Sequence, residues 1–319
     1  AMSAEASDMS SYLLMGLPGL AYISGIADVG WTAIGLALGT YFNWLFVSKR
    51  IRLYSSKLGA ITIPDFFARR YGDDKHLLTC IAAIIIVIFF VPYTASGFAA
   101  CGKLFSTLFG MNYMLAMLLS AAVIVLYCTM GGFLAVSTTD LIQGITMTIA
   151  LVIVVGFGAA VTGGLDTVIA NAQELPGYLS MVQTYVADTS SAKPYTAFTI
   201  ASTLAWGLGY FGMPHILLRF MAIEDENKLK LSRRIASVWV VISMAIAVFI
   251  GIIGYSMSKA GIIPMLEGNN SETVIVQIAS VMSSHGIIPA LVAGVILAGI
   301  LAATMSTADS QLLAAASSI

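Results

Sequence analysis

Residues 206–214 read Trp-Gly-Leu-Gly-Tyr-Phe-Gly-Met-Pro and interrupt an apolar stretch that runs from about 195 to 221. Three glycines and a proline this close together disfavour a continuous α-helix, because glycine costs backbone entropy and proline lacks an amide hydrogen. The cluster therefore predicts a membrane helix that is unwound at its centre. Close helix packing is the alternative role for glycine in membranes, and we expect that role for Gly131, Gly132 and Gly294.

The composition places this interrupted stretch in a membrane protein. Of the 319 residues, 59% are hydrophobic and 10% are charged, and the mean hydropathy is +0.92. A water-soluble domain has about a quarter of its residues charged, so lipid must cover much of this surface. The net charge of −1 provides no basic field for nucleic acid. The sequence shows no nucleophile–base pair and no histidine-rich metal cluster of the kind that would indicate an enzyme.

Apolar stretches long enough to span a bilayer, which takes about 20 helical residues, recur along the whole chain. We expect a single transmembrane domain over residues 1–319, in which these stretches are helices because lipid cannot satisfy exposed backbone groups. The eight candidate spans are residues 9–27, 29–47, 77–100, 112–130, 140–163, 195–221, 235–258 and 287–318.

Lys and Arg concentrate in two connections, residues 48–76 and 222–234. Four predicted spans separate these connections, which puts them on the same side of the membrane. Basic loops face the cytoplasm, so we expect a multi-pass protein of the cell membrane with both segments inside. Apolar and basic residues alternate around Pro64, which predicts a short amphipathic helix at the membrane interface.

The first span begins with a polar run, Ala6-Ser-Asp-Met-Ser-Ser11, that directly precedes apolar residues. Broken helices in spans one and six are typical of a five-plus-five inverted repeat of the LeuT type. The predicted fold is therefore an all-α polytopic transporter core, with a first repeat at about 1–163 and an incomplete second repeat at about 195–319. We expect the chain to be truncated at both ends, without the first half of span one and without spans nine and ten.

Span eight carries Ala303, Ser306, Thr307 and Ser310, whose i, i+3, i+4, i+7 spacing puts them on one helix face. Hydroxyl and carbonyl oxygens on one face suit a hard monovalent cation. Serine and threonine in membrane helices also bond to their own backbone carbonyls or join neighbouring helices. The spacing alone does not separate these roles.

Carboxylates inside predicted spans are the rarest signal in this chain. An Asp at the centre of a membrane helix costs roughly 2.5–3.5 kcal/mol, so it is kept where it lines a pathway. Asp8, Asp140 and Asp309 fall in this class. Asp140 has a structural alternative, since it could be solvated at the cytoplasmic mouth of span five.

With these residues in view, the chain resembles the sodium/solute symporter family, and within it the sodium/proline symporters. The resemblance extends in order over nearly the whole chain. Its motifs are Ala6-Ser-Asp-Met-Ser, Ala33-Ile-Gly-Leu through Tyr41-Phe-Asn-Trp, Ile63-Pro-Asp-Phe-Phe, Gly131-Gly-Phe-Leu-Ala-Val-Ser with Thr139-Asp140, Leu204-Ala-Trp-Gly-Leu-Gly-Tyr-Phe-Gly with Pro214-His215, and Ile300-Leu-Ala-Ala-Thr-Met-Ser-Thr.

The resemblance implies ligands for sodium, the coupled ion (Na+). The main site comprises the carbonyls of Ala6, Met9 and Ala303 and the hydroxyls of Ser306 and Thr307. Asp8 matches a carboxylate needed for sodium dependence, and Asp140 and Ser310 match a second sodium site found in some members. Asp309 stands where a serine of that second site can occur, which is a departure from the pattern.

The resemblance also implies a solute pocket and a transport function. The pocket residues are Ser10, Tyr12, Tyr127, Trp206, Tyr210 and Pro214, and Tyr12 stands where proline carriers commonly have tryptophan. The expected function is sodium-coupled symport of a small solute, foremost L-proline, by alternating access, with sodium, solute and membrane lipid as partners. Alternatives are another amino acid, a sugar, sialic acid or pantothenate as the solute, and a transporter-like sensory module fused to a signalling domain.

Overall fold

Helices make up most of residues 1–318, which are the residues that the computed structural model describes. A small antiparallel hairpin of β1 (Gln183–Val186) and β2 (Ser191–Pro194) departs from the all-α expectation. The helices are α1 (Met2–Met9), α2 (Leu17–Ser24), α3 (Ile26–Phe42), α4 (Ser48–Leu58), α5 (Ile63–Tyr71), α6 (Leu77–Phe109), α7 (Tyr113–Val161), α8 (Leu165–Gln173), α9 (Ala197–Leu204), α10 (Pro214–Met221), α11 (Leu229–Lys259), α12 (Val274–Ser283) and α13 (Ile287–Ala316). Short π-helical segments lie at Tyr12–Gly16 and Asn43–Val47, and 3₁₀ turns lie at Ala187–Thr189, Ala205–Gly212, Glu226–Lys228 and Gly268–Thr273.

Four helices within residues 1–318 are long and apolar enough to cross a membrane: 77–109, 113–161, 226–259 and 287–316. Large apolar side chains point outward from α6, where Phe89 is 68% exposed and Ile88 is 59% exposed. Surfaces of this kind are covered by lipid or by a partner, and their length matches a bilayer. The other predicted spans are divided into shorter helices, so the number of eight spans stays a prediction.

The first predicted span is broken at Ser10. Helix α1 ends at Met9, and Ser10 has φ 52° and ψ −171°, which no helix accommodates. The chain then continues through the π-helical turn Tyr12–Gly16 into α2. The expectation that the first half of this span lies outside the chain is wrong in part, because the eight-residue helix α1 precedes the break.

The sixth predicted span is broken where the glycine and proline cluster lies. Helix α9 ends at Leu204, the 3₁₀ turn Ala205–Gly212 follows, and α10 starts at Pro214. Pro214 is tolerated at this position because the first helical residue has no backbone acceptor for an amide hydrogen. The prediction of an unwound centre is confirmed.

Helix α3 packs directly against this unwound turn through glycine. A β-carbon added at Gly207 would overlap the carbonyl oxygen of Gly35. A β-carbon added at Gly209 would meet no atom of residues 1–318 within 4 Å. The backbones of α3 and the turn therefore approach closely at Gly207, as small residues allow in membrane proteins.

We expect Gly207→Ala to lower stability by about 1–3 kcal/mol, the usual cost of overpacking, because a backbone carbonyl cannot move aside as a side chain can. Gly209→Ala is the matched control in the same turn and should be tolerated. Thermal unfolding of the two variants in detergent checks this. Equal melting temperatures would show that α3 and the turn separate at little cost.

Gly132 acts through its backbone and not through packing. Its φ of 57° and ψ of −155° bend the long helix α7 between predicted spans four and five. At Gly132 or at Gly294, an added β-carbon would meet no atom of the described residues within 4 Å. The expectation of close packing at these two glycines is wrong. At Gly132 the physical reason for glycine is the positive φ, which residues with a β-carbon rarely adopt.

The two basic segments, 48–76 and 222–234, meet on one face of the protein. The guanidinium of Arg52 donates to the backbone carbonyls of Ile223 and Glu224. Helix α5 confirms the short helix predicted around Pro64. The two basic segments thus share a side of the protein, and their assignment to the cytoplasm stays a prediction. Near the other end of α6, Lys103 Nζ lies 2.5 Å from Glu272 Oε2.

Candidate functional site

The break at Ser10 leaves the end of α1 with unused carbonyls. The last four carbonyls of a helix have no partner within that helix, and in α1 these belong to residues 6–9. Ala6 and Met9 are buried, with 0% and 3% exposure. The Ser10 hydroxyl accepts from the backbone N–H of Tyr12 at 3.1 Å and so fixes the turn after the break. The carbonyl oxygens at this end of α1 therefore need hydrogen-bond or ion partners from elsewhere in the fold.

Helix α13 supplies these partners. The Ser306 hydroxyl donates to the carbonyl of Ala6 at 2.8 Å and also lies 3.2 Å from the carbonyl of Ala303. The Thr307 hydroxyl lies 3.3 Å from the same Ala303 carbonyl. Four of the five oxygens expected for the main sodium site therefore meet between α1 and α13. The fifth expected oxygen is the carbonyl of Met9, the last residue of α1.

This group of oxygens fits a monovalent cation by its chemistry. All four atoms are uncharged hydroxyl or carbonyl oxygens, the ligands that hard cations prefer. Ser306 and Thr307 are 0% and 3% exposed, so the oxygens are withdrawn from water. An ion here would join two segments that are 300 residues apart in the chain.

Asp8 lies in the last turn of α1, between Ala6 and Met9, and its carboxylate approaches the side chain of Tyr210. It is 7% exposed, and within residues 1–318 neither of its carboxylate oxygens has a hydrogen-bond partner. Glu5, one turn earlier, is also buried, but its Oε1 accepts from Trp44 Nε1 at 2.9 Å. A buried, unpaired carboxylate is costly, and a nearby cation offsets that cost.

A cavity of about 590 Å³ opens beside the break. Three of the predicted solute-binding residues, Ser10, Tyr12 and Trp206, line it. The rings of Tyr12 and Trp206 face each other with centroids 5.2 Å apart and an interplanar angle of 56°. Broken spans one and six therefore both contribute to one wall of the cavity.

The structure places the other three predicted pocket residues outside this lining. Tyr210 is 6% exposed, and its carbonyl accepts from Asn43 Nδ2 at 2.8 Å. Pro214 is buried at the start of α10. The Tyr127 hydroxyl donates to Asp309 Oδ2 at 2.6 Å.

Tyr93 is a cavity residue that sequence reasoning missed. It follows Pro92, which lies inside α6. A proline within a membrane helix frees a carbonyl and marks a bend. That signal was available in the sequence and would have directed attention to the aromatic residue beside it.

The residues expected for a second sodium, Asp140 and Ser310, do come together, but around a third residue. The Arg219 guanidinium donates through Nη2 to Asp140 Oδ2 and, at 2.6 Å, to the Ser310 hydroxyl. Arg219 lies near the end of the predicted span 195–221. The structure buries it, with 7% exposure, because its carboxylate partner comes from α7.

The model of the sodium:solute symporter family matches residues 1–319. The chain is 40% identical over 320 residues to sodium/proline symporter 2 of Staphylococcus saprophyticus, covering 100% of this chain and 59% of that protein. It is 40% identical over 321 residues to the osmoregulated proline transporter OpuE of Bacillus subtilis, covering 100% and 61%.

A solved structure, the substrate-bound outward-open state of a Na+-coupled sialic acid symporter, superposes with a TM-score of 0.76. It covers 99% of this chain and 64% of the other, at 17% sequence identity, which shows the fold alone. That fold is the helical LeuT type. The chain spans about three fifths of the length of the curated relatives it matches. The match over all 319 residues shows that the chain belongs to the sodium:solute symporter family.

Proposed function

We propose that the complete protein carries a small amino acid, foremost L-proline, into the cell together with sodium. The observation that carries this proposal is the 2.8 Å contact between the Ser306 hydroxyl and the Ala6 carbonyl. It brings oxygens from a broken helix and from α13 together beside an aromatic cavity. Relatives that are 40% identical are named for sodium/proline symport and proline transport, which supports the choice of solute.

Sodium couples to the solute through the end of α1. An ion held by the Ala6 and Ala303 carbonyls and by the Ser306 and Thr307 hydroxyls fixes the end of α1 against α13. Ser10 and Tyr12 follow that end directly and line the cavity. When the ion holds the end of α1, Ser10 and Tyr12 are held in position to bind the solute. When the ion is lost, the end of α1 and this part of the cavity wall become mobile.

The cavity wall matches the two parts of a proline zwitterion. Backbone N–H groups at the start of a helical segment attract a carboxylate, and such a segment begins after the break, at Tyr12. The faces of Tyr12 and Trp206 offer apolar surface for the pyrrolidine ring. Aromatic surface contributes mainly by burial of apolar area.

A single sodium supplies enough free energy for uptake against a gradient. One charge that moves inward across about 100 mV releases about 2.3 kcal/mol. At about 1.4 kcal/mol per tenfold change, this drives roughly fifty-fold accumulation before any sodium gradient is added.

Uptake of radiolabelled proline into proteoliposomes that contain the complete protein tests the proposal. We expect accumulation with an inward sodium gradient and none when potassium replaces sodium. Unlabelled proline should compete, and sialic acid, pantothenate and sugars should not. Competition by one of these in place of proline would reassign the solute, and uptake without sodium would refute the coupling.

Trp206→Ala should raise the proline concentration that half-saturates transport by about tenfold, since it removes one aromatic wall of the cavity. Leu208→Ala is the matched control, because Leu208 belongs to the same turn, is 68% exposed and lies outside the cavity lining. Sodium binding without solute should change little in either variant. Equal proline affinities in the two variants would move the solute site away from this cavity.

A further inference from the structure

A second buried polar cluster lies one helical turn along α13 from the Ser306 oxygens. It joins three helices: Asp140 from α7, Arg219 from α10, and Asp309 with Ser310 from α13. Asp140 and Asp309 are both fully buried, and Ser310 is 2% exposed. The cluster therefore holds two carboxyl groups and one guanidinium inside the membrane domain.

Arg219 is the centre of this cluster. Its Nη2 donates to Asp140 Oδ2 and to the Ser310 hydroxyl, its Nε donates to the Ser3 hydroxyl at 2.9 Å, and its Nη1 donates to the His215 carbonyl at 2.8 Å. The Ser3 hydroxyl in turn donates to Asp140 Oδ2 at 3.1 Å. All three nitrogens of the guanidinium are thus held by named acceptors.

Asp309 completes the cluster through its neighbours. Its Oδ1 accepts from the Ser310 hydroxyl at 3.0 Å, and its Oδ2 accepts from the Tyr127 hydroxyl at 2.6 Å. The Ser310 oxygen therefore accepts from Arg219 and donates to Asp309 at the same time. Its orientation is fixed from both sides.

This arrangement does not fit a second sodium. Of the oxygens expected to hold that ion, Asp140 Oδ2 and the Ser310 hydroxyl already accept hydrogen bonds from one nitrogen of Arg219, while Asp140 Oδ1 has no hydrogen-bond partner within residues 1–318. An ion on these two oxygens would lie next to a guanidinium that stays charged at any relevant pH, and like charges at such distances repel strongly in a low-dielectric interior. The Ala6 and Ser306 oxygens have no such cation among their hydrogen-bond partners within residues 1–318.

We infer that Arg219 provides a permanent positive charge where a second sodium would otherwise bind, so that the protein carries one sodium per solute. The inference rests on the proposed function and sets its ion stoichiometry. Arg219 acts here as a positioning residue, since it holds Asp140 and Ser310 and does not touch the solute cavity described above.

The stoichiometry is measured on the complete wild-type protein in proteoliposomes, from the fluxes of radiolabelled sodium and proline in the same vesicles. We expect a ratio of one and a Hill coefficient for sodium close to one. A ratio of two with uptake intact would overturn this inference and leave the proposed function standing. Uptake without sodium would instead refute the proposed function.

Arg219→Gln tests the role of the guanidinium. Removing it frees the oxygens of Asp140 and Ser310 and leaves two carboxyl groups without a cation, so the flux ratio and the Hill coefficient should both rise towards two. The double variant R219Q/D140N should return to one. Arg233→Gln is the control, because Arg233 lies in the basic segment and faces the ring of Tyr41.

A ratio of one that persists in Arg219→Gln would also overturn the inference, since the oxygens would then have no affinity for sodium even when free. The wild-type ratio requires no substitution, so the inference stays testable if Arg219→Gln does not fold. Arg219→Lys keeps the charge and should keep the ratio at one.

Discussion

Replacing Ser306 by alanine should raise the sodium concentration that half-saturates transport by about tenfold or more. The hydroxyl is fully buried and lies 2.8 Å from the Ala6 carbonyl, so alanine removes one of the few oxygens available to the ion. A polar contact to a charged group is worth about 1.5–3 kcal/mol, which is about tenfold to a hundredfold in affinity. Sodium activation of proline uptake measures the change.

Two variants on the same helix separate ion binding from packing. Thr307→Ser keeps the hydroxyl and should be mild. Thr304→Ala removes a buried hydroxyl whose one hydrogen bond within residues 1–318 is to the Ile300 carbonyl of its own helix, at 3.0 Å, and should leave sodium activation unchanged. If Ser306→Ala is tolerated and only bulky residues at 306 fail, the serine serves helix packing and not sodium.

The breaks in spans one and six could be predicted because local chemistry decides them. Glycine and proline disfavour a helix wherever they lie, and the cluster at 206–214 becomes the 3₁₀ turn Ala205–Gly212. The spacing of Ala303, Ser306 and Thr307 likewise fixes a common face. The contact of that face with the Ala6 carbonyl depends on tertiary structure. It could be predicted only from the family resemblance.

The role of Arg219 could not be predicted in the same way. A basic residue at the end of an apolar run ordinarily extends to the membrane surface. Here a carboxylate on α7 is placed within reach, and it is Asp140, 79 residues earlier in the chain. Burial of Arg219 is thus a property of two helices together, and neither helix reveals it alone.

Tyr127 and Tyr93 illustrate a further limit, because the proline before Tyr93 marks a bend and does not say where the tyrosine side chain points. Both are tyrosines in long apolar helices, α7 and α6, and such helices are apolar on every side. With no polar face to give the rotation of the helix, periodicity does not say which residue points inward. The structure turns Tyr93 to the cavity and Tyr127 to Asp309.

Asp8→Asn should lower sodium affinity by at least tenfold or abolish uptake. Asparagine has nearly the same shape, so the substitution removes the charge and preserves packing. Two unit charges about 4 to 8 Å apart interact by about 2–4 kcal/mol at an effective dielectric constant of 20. The Asp8 carboxylate is buried, and the Tyr210 side chain and the Arg219 charge lie near it, so a neighbouring cation receives part of that interaction. Sodium binding without solute measures the loss.

Glu5→Gln is the matched control, because Glu5 is a second buried carboxylate on the same helix. Its Oε1 is held by Trp44, and glutamine can still accept that hydrogen bond. We therefore expect Glu5→Gln to change sodium affinity much less than Asp8→Asn does. An equal loss in both variants would mean that sodium responds to the total negative charge of α1. Unchanged sodium dependence in Asp8→Asn would mean that the carboxylate is structural, and the ion would then be held by the neutral oxygens of Ala6, Ala303, Ser306 and Thr307 alone.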